Sequence, residues 1–302
     1  MTKLTRLTGV VLFVVLVGSA VRVGAQLQPQ GALLPAAYLP VVMTASLPEF
    51  SCATTSTRHY VSGPVFQHDL DNPVRPADAH ADKNIALRSY ILNTDPNLRR
   101  QLVDYDSDDP TQPPQLATLF QPYRVPAFAG FYKVHQWQWA ASPQPGTRSV
   151  PIDTPPTTAV AFALPPGEPL HVPVSGYDIG GGAEVIILFA DADTITLHYT
   201  REDTAALGYT IHIDRICTDP NLLALYNSLD APNGPRYQFP SAGYQLPALP
   251  AGKVFGTTSN EAMLVAVVDA GTFQDPRSCH EWWQIKPGYT GSCPPHWQGS
   301  HD

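Results

Sequence analysis

His198, His212 and Asp214 are the side chains best placed for chemistry. Segments 194–200 and 208–214 alternate between apolar and polar residues, with Ile195, Leu197 and Tyr199 on one face of the first and Tyr209, Ile211 and Ile213 on one face of the second. Successive side chains of a strand point to opposite faces, so pairing of the two strands would put Thr196, His198, Thr210, His212 and Asp214 on a common second face. Two imidazoles and a carboxylate can hold zinc and leave a fourth position for water, as in a hydrolytic site. Glu202 or Asp203 in the adjoining loop would then serve as general base. The competing reading, and the commoner fate of an H-x-D spacing, is a row of solvated residues on an outer sheet surface.

His135-Gln136-Trp137-Gln138-Trp139 is a second candidate, because alternation puts His135, Trp137 and Trp139 on one face. Turned outward, Trp137 and Trp139 would suit stacking on sugar rings or Pro-rich ligands. Turned inward they would be core, the more frequent arrangement in a strand. Trp282 and Trp283, beside Cys279, are read as a cover for the end of the domain. His80 with Asp82, and His68 with Asp69, are loop clusters read as solvated. The chain has no G-x-S-x-G elbow, no H-E-x-x-H helix and no Gly-rich phosphate loop followed by Lys. Gly180-Gly181-Gly182 precedes a strand, which fits a tight turn and not a phosphate cradle.

These residues need elements to position them, and the composition says which kind. Pro accounts for 32 of 302 residues and charged residues for only 15%, which disfavours a helical bundle and favours strands with ordered loops. The first half is irregular, with strands expected at 84–92 and 127–139 around an acidic, Pro-rich loop at 104–114. A Pro-rich stretch at 142–156 marks the expected internal boundary. Beyond it, strands are expected at 184–190, 194–200, 208–214, 253–255 and 261–268, the last ending in the turn Asp269-Ala270-Gly271. Asp219-Pro220 reads as an N-cap and first helical position, opening a short helix at 221–229 with Leu222, Leu225, Tyr226 and Leu229 on one face.

The N-terminus carries Lys3 and Arg6, an apolar run over 10–17 and small residues ending in Val23-Gly24-Ala25, the layout of a cleavable signal peptide. Cleavage before Gln26 would leave a linker over 26–50 and a secreted or envelope protein with no stable membrane span. The apolar run is shorter than the roughly 20 residues a span needs. A net charge of −8 argues against tracking a phosphate backbone, so nucleic acid is not an expected partner. The four cysteines, Cys52, Cys217, Cys279 and Cys293, are an even set in an exported chain and allow three pairings. Cys279 with Cys293 and Cys52 with Cys217 is the favoured one. Zinc held by Cys279, His280, Cys293 and His296 is the alternative, without paired C-x-x-C spacing.

Across 175–278 the layout resembles the lysostaphin-type zinc endopeptidases, exported enzymes with a small antiparallel β fold that cut peptide cross-links in bacterial walls. Ser175-Gly176-Tyr177-Asp178-Ile179 is similar to that family's opening H-x-G-x-D-I motif, and Gly208 to Asp214 to its G-N-x-V-x-I-D strand. Leu225-Tyr226-Asn227-Ser228-Leu229 resembles its L-Y-x-H-L segment, and Ala251 to Gly256 its x-G-x-x-x-G turn. Ala262 to Gly271 with Asp275-Pro276 resembles the H-L-H strand, its turn and a D-P ending. In that family a His and Asp of the opening motif and the last His of H-L-H hold zinc. The matching positions here are Val174, Asp178 and Leu264, with Ala262 and Ser228 where other histidines would stand. Val, Ala and Leu cannot donate an electron pair to a metal, so the resemblance implies a scaffold that keeps only Asp178 of the site.

The expected architecture is therefore mainly β: a lysostaphin-like antiparallel sheet or sandwich over 151–302, a disulfide-closed C-terminal tail, few short helices, and an irregular β-containing region over 51–150 packed against it. The expected role is binding of a cell-wall peptide, glycan or surface protein, without a cofactor, through Asp178, Trp137 and Trp139. The alternatives are a zinc-dependent peptide hydrolase using His198, His212 and Asp214, and a carbohydrate-binding module.

Overall fold

The alternating segments of the second half form the centre of a long antiparallel sheet. A computed structural model describes residues 50–65, 75–105, 112–230 and 244–288. Its strands in chain order begin with β1 (Val61–Pro64), β2 (Tyr90–Leu92), β3 (Ala127–Gln138), β4 (Thr147–Pro151), β5 (Ala159–Ala163), β6 (Pro169–His171) and β7 (Val185–Ala190). They continue with β8 (Thr194–His198), β9 (Tyr209–Asp214), β10 (Ile216–Thr218), β11 (Gln245–Leu249), β12 (Val254–Thr258), β13 (Met263–Asp269) and β14 (Thr272–Phe273). The main sheet runs β1, β11, β7, β8, β9, β13, β5, β3, β2, with β4 beside β3 and β14 beside β13. A smaller sheet runs β10, β12, β6. The expectation of a mainly β chain with few short helices is what the described residues show: α1 (Pro220–Asp230), α2 (Cys279–Trp282) and three short 3-10 turns.

Strands from both sides of the Pro-rich stretch belong to the same sheet, since β3 pairs with β5 and β5 with β13. The expected strand at 84–92 is instead a 3-10 turn, Ile85–Leu87, followed by the short β2. Asn84 Oδ1 accepts from the Ala86 amide at 3.1 Å, and Ser89 takes a positive φ of 57°, so the backbone turns where a strand would have to stay extended. The helix expectation holds. Asp219 Oδ1 caps α1 by accepting from the Asn221 amide at 2.9 Å, and Leu222 and Tyr226 bury its inner face.

One face of the central strands is apolar. Ile195, Leu197, Ile211, Ile213, Val265 and Val267 join the main core, which also takes in Phe162, Trp282 and Trp283. Both indoles are buried, as expected of a cover over the end of the domain; Trp282 meets Tyr209 at 5.8 Å and Trp283 meets Phe162 at 5.9 Å between ring centres. The opposite face carries two smaller apolar clusters, one on β7 and β11 around Leu188 and Leu246, the other around Val134, Ala266 and Phe273. Between them, on β8 and β9, that face is polar. Cys52 and Cys217 are bonded, with Cα atoms 5.4 Å apart, which ties the start of the described chain to β10.

Candidate functional site

The register of β8 against β9 places Thr194 opposite Asp214, Thr196 opposite His212 and His198 opposite Thr210. All six lie on the face opposite the apolar core, as the alternation predicts. The expectation of solvated surface residues is corrected, because His198, His212, Thr196 and Thr210 are buried. The chain around Lys83 and Ile85 lies over them. Thr196 Oγ1 donates to the Lys83 carbonyl at 2.6 Å, and Lys83 Nζ stands 2.9 Å from Asp203 Oδ1, both side chains almost wholly enclosed.

Every member of this layer is engaged locally. His198 Nδ1 contacts Thr210 Oγ1 at 2.8 Å and its Nε2 contacts Thr200 Oγ1 at 2.6 Å, so one hydroxyl donates and the other accepts around a neutral ring. His212 Nδ1 contacts Thr196 Oγ1 at 3.0 Å; its ring stacks on Phe273, and its Nε2 makes no hydrogen bond among the described residues. Burial pushes the His198 imidazole down to about 4, partly offset by the Asp203 carboxylate, and the His212 imidazole to about 3, with the Arg88 guanidinium adding to the effect. Asp214 Oδ1 accepts from Thr194 Oγ1 at 3.0 Å and from the Arg215 amide at 2.8 Å, and burial raises its carboxyl above the usual range. Asp203 also accepts from the Tyr244 hydroxyl.

The arrangement bears directly on the zinc alternative. His198 and Asp214 lie four residues apart in register, roughly 13 Å along the strands, too far for one ion to hold both. No group of three or more His, Cys, Asp or Glu that could hold a metal occurs among the described residues. Glu202 sits in the loop beyond β8, while Asp203 is committed to Lys83 and Tyr244. The other zinc reading fails for a chemical reason: Cys279 is disulfide-bonded and offers no thiolate, and Cys293 and His296 fall outside the described residues. His80 is buried, while Asp82 is half-buried and pairs with Arg88 at 2.5 Å, so of this cluster only Asp82 keeps contact with solvent; His68 and Asp69 fall outside the described residues.

The positions matched to the lysostaphin-type motifs do not converge. Asp178 is exposed and accepts from the Gly180 amide at 2.7 Å, closing the turn into β7, where Gly180 takes a φ of 96°. Through β8 and β9, Ile186 at the start of β7 shares a row with Val268 of β13. Leu264 is four residues from that row and three strands away from β7. Asp178 and Leu264 therefore belong to opposite ends of the central strands.

Trp137 and Trp139 sit at the far end of β3 in a different setting. Trp137 is half-buried and its Nε1 donates to the Pro145 carbonyl at 2.7 Å. Trp139 keeps 44% of its surface accessible. Its indole meets Trp137 edge-on at 6.3 Å and His80 at 4.9 Å, and the Arg75 guanidinium lies 4.9 Å from its ring centre. Sequence alternation found both tryptophans but not Arg75 or His80, which arrive from a segment more than fifty residues earlier. Lys83, Arg88 and Tyr244 were missed in the same way: each completes the polar layer from outside the strands that carry the pattern. No protein-family model matches the chain, and no curated protein matches it.

Proposed function

We propose that this chain is an exported, non-catalytic binding protein of the cell envelope that recognises a wall or surface glycan through Trp139. The carrying observation is the half-exposed indole held in place by Arg75, His80 and Trp137. An indole already held by its neighbours, with Arg75 over its ring, loses little entropy when a sugar ring stacks on the surface that stays accessible. Export is supported by the Cys52–Cys217 bond, which suits a non-reducing compartment, and no described helix is long and apolar enough to cross a membrane. The resemblance to wall peptidases contributes the choice of envelope ligand and nothing about metal chemistry.

The test is titration of the purified protein with soluble wall-glycan fragments, followed by indole fluorescence. Trp139→Ala should weaken binding at least about tenfold, the scale of an aromatic anchor. Unchanged affinity in that variant would overturn the reading.

A further inference from the structure

The enclosed pair of Lys83 and Asp203 departs from the geometry of an ordinary salt bridge. The two side chains keep 1% and 3% of their surface, and Lys83 Nζ lies 2.9 Å from Asp203 Oδ1. Yet Oδ1 makes no hydrogen bond among the described residues, so the groups touch without the alignment of a donated N–H. A buried ion pair repays its lost hydration only when that alignment is good and the remaining lone pairs are satisfied. Here a carboxylate oxygen stays unsatisfied at contact distance from an amine.

Both partners are fixed from outside the pair. Thr196 Oγ1 donates to the Lys83 carbonyl at 2.6 Å and the Lys83 amide donates to the His80 carbonyl at 2.9 Å, which pins the backbone of the lysine against β8. The Tyr244 hydroxyl donates to Asp203 Oδ2 and polarises the carboxyl group through its other oxygen. An amine and a carboxyl held at contact distance and shut away from water have no encounter left to wait for.

We infer that Lys83 and Asp203 condense to an amide within the folded protein. Nζ passes one proton to Oδ1, and its freed electron pair attacks Cγ to form the C–N bond. A second proton then moves from Nζ to Oδ1, the Cγ–Oδ1 bond breaks, and Oδ1 leaves as water. Cγ and Oδ2 remain as the amide carbonyl, still accepting from Tyr244. The two opposite charges vanish together, nothing is oxidised or reduced, and no outside reactant enters. The ion pair is the state into which the chain folds, and the amide is its product. Asp203 follows Lys83 by 120 residues, so the bond ties the segment over the polar layer to the loop beyond β8, inside the span closed by Cys52 and Cys217. Thiols, which exchange with a disulfide, leave an amide intact.

Intact-mass spectrometry of the whole purified protein, fresh and after prolonged warming, tests this. A species one water lighter than the disulfide-bonded chain should be found and should grow until it dominates. Its digestion should release a branched peptide joining Lys83 to Asp203. The Lys83→Met, Asp203→Leu variant should keep its full mass, and Tyr244→Phe should slow the conversion at least about tenfold. Full mass throughout would overturn the proposal. So would water lost without a branched peptide, as in an aspartyl succinimide, or conversion as fast in Tyr244→Phe. The readout is mass and not affinity, so glycan binding through Trp139 stands or falls separately.

Discussion

The two faces of β8 and β9 are buried equally and by opposite chemistry. Ile195, Leu197, Ile211 and Ile213 are covered by other apolar side chains, and their burial is favourable wherever they land. Thr196, His198, Thr210 and His212 are bonded to one another and to Thr200, with Thr196 also bonded to the covering Lys83 segment, and their burial is tolerable only while each partner stays in place. The first face supplies stability and the second supplies register. A one-residue slip of β8 would send His198 into the apolar core and Leu197 against the Lys83 segment.

Mutation separates the faces. Asp203→Ala leaves Lys83 enclosed without its counter-charge and should cost about 3–5 kcal/mol, read from urea unfolding; a Lys83→Met, Asp203→Leu double variant should recover much of that loss. Of the two faces of β8 and β9, only the polar one carries groups that acid can titrate. Both imidazoles bind their proton more weakly in the folded chain than in the unfolded one, so the unfolded state holds more protons below pH 6.5. Stability is full above that point and falls toward pH 4, by about 3 kcal/mol for His198 alone. The raised carboxyls of Asp214 and Asp269 work the other way near the bottom of that window, where the folded state keeps their protons longer. Lys83, Asp203 and Arg88 are the charges facing the rings. A His198→Gln, His212→Gln variant should flatten the acid limb of a melting-temperature profile.

On the apolar face, Ile211→Ala should cost about 2 kcal/mol or more by leaving a cavity, with no change in the acid limb. Thr196→Val should cost about 1–2 kcal/mol, because the Lys83 carbonyl and His212 Nδ1 each lose a partner while volume is kept. Equal pH profiles for the Ile211 and paired His variants would end the distinction between the faces.

Local chemistry was legible in the sequence. The period-two pattern placed β8 and β9 correctly and put the three candidate ligands on one face, and Asp219-Pro220 marked the start of α1. The bond between Cys52 and Cys217 is one of the favoured pairings among the three that four cysteines allow. What covers a face is not local. Thr196 and the Lys83 carbonyl are 113 residues apart, and no periodicity in either segment announces the other. The 3-10 turn at Ile85–Leu87 was misread for a related reason: the apolar residues of 84–92 fit a strand, while the Asn84 cap and the left-handed Ser89 that break it leave little trace in hydrophobicity.

The Cys52–Cys217 bond also sets how the protein would carry load. It closes a loop with a sequence separation of 165, so tension between any point before Cys52 and any point after Cys217 passes through the sulfur bridge and skips everything between them. About 590 Å of potential chain extension is thereby withheld, at roughly 3.6 Å per residue. The strands between the two cysteines, β1 to β9, with Trp139 among them, bear none of that tension directly. Their structure would be lost through the removal of β11 and β13 as sheet neighbours and not through the pull itself.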